Sequence, residues 1–264
     1  DPTIKITINE ETGEHLMSGM GELHLEVIEN RIKSEKGVEV STSPPIVVYR
    51  ETITKDSQEA EGKSPNKHNK LYFKVYPMPD AIADLIKKGD IPSGRIKKRE
   101  MTLAIRDKLK ETGFDAKKAE KVKDIYEGNM MLETTRGQVH IHEVMELILD
   151  MFEDVMKAGP LAKEPCINVM VRLKDLKLHE DAIHRGPAQV YPAVRDSIRD
   201  SIGSAGPALL EPIQTHLIEA PLDYMGKVTN LVGSKRGILI DVQQESGQVI
   251  VRAQIPVAEM IGWS

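Results

Sequence analysis

A chain of 264 residues, 40% hydrophobic and 29% charged, can bury a sizeable core and fits two or three small domains better than one. Its net charge of −5 gives no global pull toward nucleic acid, so any RNA contact must be local. No apolar run reaches the roughly 18 residues a membrane-spanning helix needs, and no membrane partner is expected.

The single cysteine, Cys166, excludes an internal disulfide framework and suits a reducing compartment. No secretory leader follows Asp1-Pro2, so a cytoplasmic protein is expected. Cys166 sits beside Ile167 and Val169 and reads as core. Aromatic residues, at 4%, are too scarce for a surface of stacking platforms.

In the first segment Ile4, Ile6 and Ile8 alternate with Lys5 and Thr7, the period of a half-buried strand. "ETGE" (11–14) turns the chain, and residues 15–18 can pair back. A helix is expected from Gly21, with Leu23, Val27, Ile28 and Ile32 on one face, ending near Gly37. Val38 and Val40 read as the next strand. Ser43-Pro44-Pro45 interrupts regular structure, and a domain boundary is placed there, giving a first domain 1–44.

The second domain, 45–208, starts with a β-branched run (46–54). The polar stretch "KDSQEAEGKSPNKHNK" (55–70) is expected as a turn or long exposed loop before a strand at 71–76. "PDAIADLIKKGD" predicts a short helix with Asp80 as N-cap and Gly89 as its stop. Residues 95–112 read as a charged helix, and 116–139 give no pattern. Residues 141–156 form the clearest helix, with a wide apolar stripe ended by Gly159-Pro160. A strand at 167–173 leads into "KLHEDAIHRGPAQVYPAVRD". Pro192 there suits the first turn of a helix whose Val194, Ile198 and Ile202 face inward.

The third domain, 209–264, follows Gly206-Pro207. It reads as a strand (213–218), a helix near 222–231, and strands 238–242 and 249–255 joined at "QQESGQ". Strand–helix–strand–strand is half of a split βαβ sandwich, and the first segment has the mirror deficiency. The expected class is therefore α+β and multidomain, a central α/β domain flanked by two incomplete ferredoxin-like domains, as in a piece cut within its outer domains.

No G-x-S-x-G and no G-x-x-x-x-G-K-[ST] occur, so neither a nucleophile elbow nor a phosphate loop is read and no catalytic residue is assigned. "GMGELHLE" reads as a tight strand-to-helix turn. His179 and His184 could join His140 and His142 on a metal only if residues 140–142 are a strand and Glu180 or Asp181 completes the set. That leaves a metal-dependent hydrolase as one alternative. "GKSPNKHNK" carries Lys63, Lys67, His68 and Lys70 with no acid among them. It is either a solvated hairpin tip or a finger that contacts RNA phosphates. "HEDAIHRG" is either a helix-entry loop or a second finger, with Arg185 forking onto a phosphate.

These stretches also carry a resemblance. "ETGEHLMSGMGELHLEVIENRIK" with "PPIVVYRET" resembles the third domain, and its link to the fourth, of the translocating translation GTPases, the family of elongation factors G and 2. "KSPNKHNKLYF" and "LHEDAIHRG" resemble the elongation factor 2 branch, and "GPAQVYPAVRDSI" its archaeal form. "APLDYMGKVTNLVGSKRGILIDV" resembles the fifth domain. The resemblance implies an elongated central domain with ribosomal protein S5-like βαβ topology and tip loops at 62–70 and 179–190. It implies that His184 is converted to diphthamide, with Asp181, Ile183, Arg185 and Gly186 matching its surroundings. Pro65, Asn66, Lys67 and His68 would share the tip's RNA contact, His179 would support the loop, and Lys235 and Arg236 would meet ribosomal RNA.

The implied role is to insert this tip at the decoding site, promote tRNA–mRNA translocation and hold the reading frame. The implied partners are the ribosome, the tRNA–mRNA duplex, the enzymes of diphthamide synthesis and ADP-ribosylating toxins. GTP and Mg would belong only to a GTP-binding domain that this chain lacks, and no cofactor is expected within it. A paralogous spliceosomal or ribosome-maturation GTPase of the same architecture, or a purely structural scaffold, remains as an alternative.

Overall fold

The computed structural model describes residues 3–8, 15–42 and 47–261. It contains two compact units, one of Tyr49–Leu210 and one that draws on Asp1–Val48 and Glu211–Ser264. Helices and strands mix in several sheets, a mixed α/β architecture.

Strands β1 (Lys5–Ile8) and β2 (His15–Ser18) pair antiparallel, with Ile8 opposite His15. The turn expected at 11–14 lies outside the described residues. Helix α1 (Glu22–Lys36) stops at Gly37, whose φ of 64° is a left-handed conformation that costs glycine little. Part of its apolar face is exposed, Leu23 at 60% and Val27 at 46%, whereas Ile28 and Ile32 are half-buried. The strand expected at Val38 and Val40 is absent, because two alternating valines need a neighbouring ladder that the described residues do not supply. The boundary placed at Ser43-Pro44-Pro45 falls outside the described residues.

The larger unit begins with β3 (Arg50–Ile53), followed by the hairpin of β4 (Ala60–Lys63) and β5 (Lys70–Pro77). A strand thus replaces part of the long exposed loop expected over 55–70. Tertiary contact makes it: Ser197 Oγ donates to the Ala60 carbonyl at 2.8 Å, and Gly62 lies flat against the helix that carries Ala193. Helix α2 (Asp80–Lys88) buries Ile82 and Ile86 and ends at Gly89 as its sequence predicts. Its N-cap is Pro79, and Asp80 instead takes the first helical position, where its charge favours the helix dipole.

Then come β6 (Gly94–Arg95), α3 (Arg99–Glu111), α4 (Ala116–Ala119), β7 (Val122–Tyr126) and β8 (Asn129–Glu133). Every residue of β8 is buried, so the strand has no alternation to read. Helix α5 (Ile141–Lys157) crosses to β9 (Val169–Lys177), which lies parallel to β8. Helix α6 (Pro187–Ser204) starts five residues before the expected turn. Pro187 holds its first position, and Pro192 lies inside the helix. Strand β10 (Pro207–Leu210) returns to pair with β3.

The main sheet has the order β4-β5-β9-β8-β7-β6. On one face Val144, Ile148 and Phe152 of α5 and Val194 and Ile198 of α6 pack against Leu71, Phe73, Val75, Val171 and Leu173. Cys166 belongs to this core, and burial pushes its thiol up to about 12. A second core joins Ile82 and Ile86 of α2 and Ile105 and Leu109 of α3 to Val122, Met130 and Leu132. Met131 lies in the first core and its neighbours Met130 and Leu132 in the second, so the two cores flank the sheet.

In the smaller unit, β11 (Ile213–Pro221) leads through a 3-10 turn at Leu222–Tyr224 into α7 (Met225–Ser234). Strands β12 (Ile238–Glu245) and β13 (Gln248–Pro256) form a hairpin, and α8 (Val257–Met260) follows. Ser246 and Gly247, at φ 51° and 82°, make its two-residue turn. The sheet order is β11-β13-β12, with Val232 packed on Val249, Val251, Ala253 and Ile255. No described helix is long and apolar enough to cross a membrane.

Candidate nucleic-acid interface

Strands β5 and β9 are antiparallel neighbours, and Lys70 pairs with Lys177 at one end of their ladder. The β4–β5 turn (64–69) and the β9–α6 connection (178–186) therefore emerge side by side. The turn closes on itself: Ser64 N–H donates to the Asn69 carbonyl at 3.0 Å and Lys67 N–H to the Ser64 carbonyl at 2.7 Å. Lys67 sits at the apex with φ 62°, a left-handed backbone, and its side chain points into solvent. His68 N–H donates to Asn66 Oδ1 at 3.0 Å, an Asx-type turn that orients the imidazole.

Buried amides tie the two loops together. Asn69, fully buried, accepts from His179 N–H at 3.0 Å and donates through Nδ2 to the His184 carbonyl at 2.7 Å. Asn66 Nδ2 adds a second donor to that carbonyl at 3.3 Å, and Asn66 N–H donates to Gln189 Oε1 at 2.9 Å. Asp181 caps the 3-10 turn Ala182–His184 by accepting from Ile183 N–H at 3.1 Å. Asp181 N–H donates to His179 Nδ1 at 3.1 Å, which leaves Nε2 to carry the hydrogen of the neutral ring.

The rings of His68, His179 and His184 consequently cluster, with centroids 4.5 to 4.9 Å apart. In the same loop Ile183 is 78% exposed. Gly186 precedes α6, and Pro65 lies exposed in the turn. The tip thus presents a lysine, two half-buried imidazoles, one exposed imidazole and an apolar side chain over a hydrogen-bonded base.

Arg185 departs from the phosphate-fork reading. Its side chain is 5% exposed; Nη1 donates to the carbonyls of His179 at 2.6 Å and Glu180 at 2.9 Å, and Nη2 to Glu143 of α5. It is a clamp under the loop and presents no guanidinium to solvent. The His140 imidazole, and next the Arg185 guanidinium, hold the Glu143 carboxyl below the usual carboxylate range. The metal alternative required residues 140–142 as a strand, but His140 caps α5 and His142 lies in its first turn. Among the described residues no group of histidine, cysteine and carboxylate side chains could hold a metal ion.

In the smaller unit Arg236 donates to both Glu211 oxygens, at 2.8 and 2.9 Å, and to Glu259 at 2.8 Å. These carboxylates engage the guanidinium that the resemblance assigned to ribosomal RNA, whereas its neighbour Lys235 has no ion pair among the described residues. Residues the sequence did not single out are Ser64, Asn69, Glu143 and Gln189. Their signal is weak, because a buried amide at a strand end follows no periodicity; the nearest cue is the density of Asn and Ser in "KSPNKHNK".

Comparison with known proteins places the chain among translation factors of the elongation factor G type. The family models for elongation factor G domain III, domain IV and C-terminus match residues 1–44, 94–206 and 208–264. The elongation factor 2 proteins of Thermococcus onnurineus, Thermococcus kodakarensis and Methanococcoides methylutens are 51%, 52% and 50% identical over all 264 residues. The chain covers 36% of the length of each. It belongs to the elongation factor 2 family.

Proposed function

We propose that this chain is part of a ribosomal translocation factor and that the tip of the larger unit enters the decoding site to support tRNA–mRNA movement. The observation that carries this reading is the pair of loops locked through Asn69, which holds Lys67, His68 and His184 outward on a buried hydrogen-bonded base. A preorganised tip that presents Lys67 loses little conformational entropy on meeting an RNA backbone. His184 is the proposed diphthamide, an imidazole bearing an added cationic arm that reaches further than a lysine, and the modifying enzymes and toxins would reach the same tip.

The domain reading is a domain III-like segment to residue 44, an S5-like domain IV to residue 208 and a domain V-like segment beyond. The parallel β8–α5–β9 crossover supports the second, and β13 lying between β11 and β12 supports a split βαβ unit for the third. GTP hydrolysis is assigned to a part of the whole protein outside this chain, and the cytoplasm is the corresponding location. The paralogous ribonucleoprotein reading has no observation of its own in its favour.

Directed hydroxyl-radical probing tests the role. Cys166 is buried, so Lys67→Cys provides the reactive thiol for an iron chelate. With ribosomes, cleavage is expected in small-subunit RNA around the decoding site. Cleavage confined to other regions, or absent although the chain binds, would overturn the proposal.

A further inference from the structure

Part of one face of the main sheet lies outside both cores. Leu71, Phe73 and Val75 of β5 and Val171 and Leu173 of β9 point into the α5–α6 core. Alternation therefore sends Lys70, Tyr72 and Lys74, with Arg172 and Lys174, to the opposite side. There α2 and α3 pack over Val122, Met130 and Leu132 of β7 and β8, toward the other end of the sheet.

Register makes this face unusual. Lys74 lies directly opposite Arg172, and Lys70 directly opposite Lys177. Like charges facing each other across an antiparallel ladder are destabilising, because their Cβ atoms stand only about 5 Å apart. Two such pairs stand on these neighbouring strands. Acidic side chains compensate part of the charge. Glu61 pairs with Lys63 at 2.9 Å and Lys70 at 3.3 Å, and Asp56 approaches Lys74 at 3.9 Å. Among the described residues Arg136, Arg172, Lys174 and Lys177 form no ion pair. Arg172 Nε is held by Thr134 Oγ1 at 2.8 Å, which aims the guanidinium without neutralising it.

Arg136, Arg172, Lys174 and Thr134 line an open hollow with Glu59 and Asp175. Between the two like-charged pairs Tyr72 lies opposite Asp175, with the half-buried Tyr72 hydroxyl donating to Glu61 at 2.7 Å and the Asp175 carboxylate interrupting the row of cations. The pairs are four residues apart on β5, about 13 Å along the strand. The nearer pair abuts the tip loops through Asn69 and Leu178.

We infer that this face is a second RNA-backbone interface, a cationic track along β5 and β9 in which Lys74, Arg172, Lys174 and Lys177 contact successive phosphates. An RNA strand supplies negative charge to Arg172 and Lys177, the member of each cross-strand pair that has no carboxylate partner among the described residues. The inference concerns residues outside the tip and does not require the tip to act at the decoding site.

The test is equilibrium binding of the chain to a short fluorescein-labelled RNA hairpin over a range of salt. Lys74→Ala with Arg172→Ala removes two phosphate contacts. It is expected to weaken binding about tenfold and to reduce the slope of log K against log salt by roughly 2. Thermal stability should hold or rise, since a repulsive pair is gone. If the alanine protein misfolds, Lys74→Gln with Arg172→Gln keeps the side-chain stems and should show the same loss. Unchanged affinity and slope in a folded double variant would overturn the inference. Poly-glutamate binding tighter than the RNA at equal charge concentration, and lost in the same double variant, would also overturn it, assigning the face to an acidic protein segment. A Lys67→Ala variant reports on the tip separately, so failure of one interface is distinguishable from failure of the other.

Discussion

Asn69 holds His184 in place, its buried amide donating 2.7 Å to the histidine's carbonyl while its oxygen takes the N–H of His179. One side chain thus fixes both sides of the loop from which the imidazole projects. Asn69→Ala would leave a carbonyl and an N–H short of partners at the base of the tip, a cost of about 1–3 kcal/mol. Urea unfolding should register that loss, and amide exchange at His179 should quicken. Full protection at His179 in the variant would show that the loop is held some other way.

The Arg185 clamp makes a complementary prediction. Arg185→Lys retains the charge but cannot reach two carbonyls and Glu143 together. Thermal unfolding should show a loss of about 2 kcal/mol, the scale of charge-assisted hydrogen bonds. RNA affinity should change far less than for Lys67→Ala. An equal fall in affinity for both variants would instead place Arg185 in direct contact with RNA.

Gly62 lets β4 lie against α6. A Cβ at this position would come 1.9 Å from the Ala193 carbonyl oxygen and 2.9 Å from Ser197 Cβ. Gly62→Ala should cost at least about 2 kcal/mol through backbone displacement, measured by denaturant unfolding. A neutral result would mean that β4 can lift from α6 without penalty.

Asp124, on β7, gives the unit a pH dependence of definite sign. Burial first, and then the neighbouring Glu153 carboxylate, push its carboxyl up to about 7, while Arg95 opposes the shift. Among the described residues neither of its oxygens has a hydrogen-bond partner. The folded chain therefore keeps a proton that the unfolded chain releases near pH 4. This contribution to stability is full below pH 4 and is lost as pH rises toward 7. Asp124→Asn should remove that slope and raise stability at pH 8 by about 2 kcal/mol. An unchanged slope between pH 5 and 8 in the variant would contradict the assignment.

Much of this was legible in the sequence where one physical rule dominated. The stripe of α5, the stop at Gly89 and the hairpin turn at Ser246-Gly247 follow from helical period and from glycine's freedom at positive φ. Elements made by tertiary contact were not legible. Strand β4 has only Ala60, Glu61, Gly62 and Lys63, and it exists because α6 lies against it. At the tip the outward residues announced themselves by charge and motif, whereas the residues that hold them did not. Asn69 and Glu143 look like any polar side chain until the fold brings His179, His184 and Arg185 to them. Arg185 shows the converse: a cation in a polar loop suggested a phosphate contact, and packing turned it inward.

The diphthamide proposal is tested by mass spectrometry of the tryptic peptide from Leu178 to Arg185, taken from protein isolated from its native host. A mass increment localised on His184, in the loop that the Asn69 and Arg185 contacts hold, is the expected result. An unmodified His184 from that source would contradict it and move the tip to another ribonucleoprotein partner.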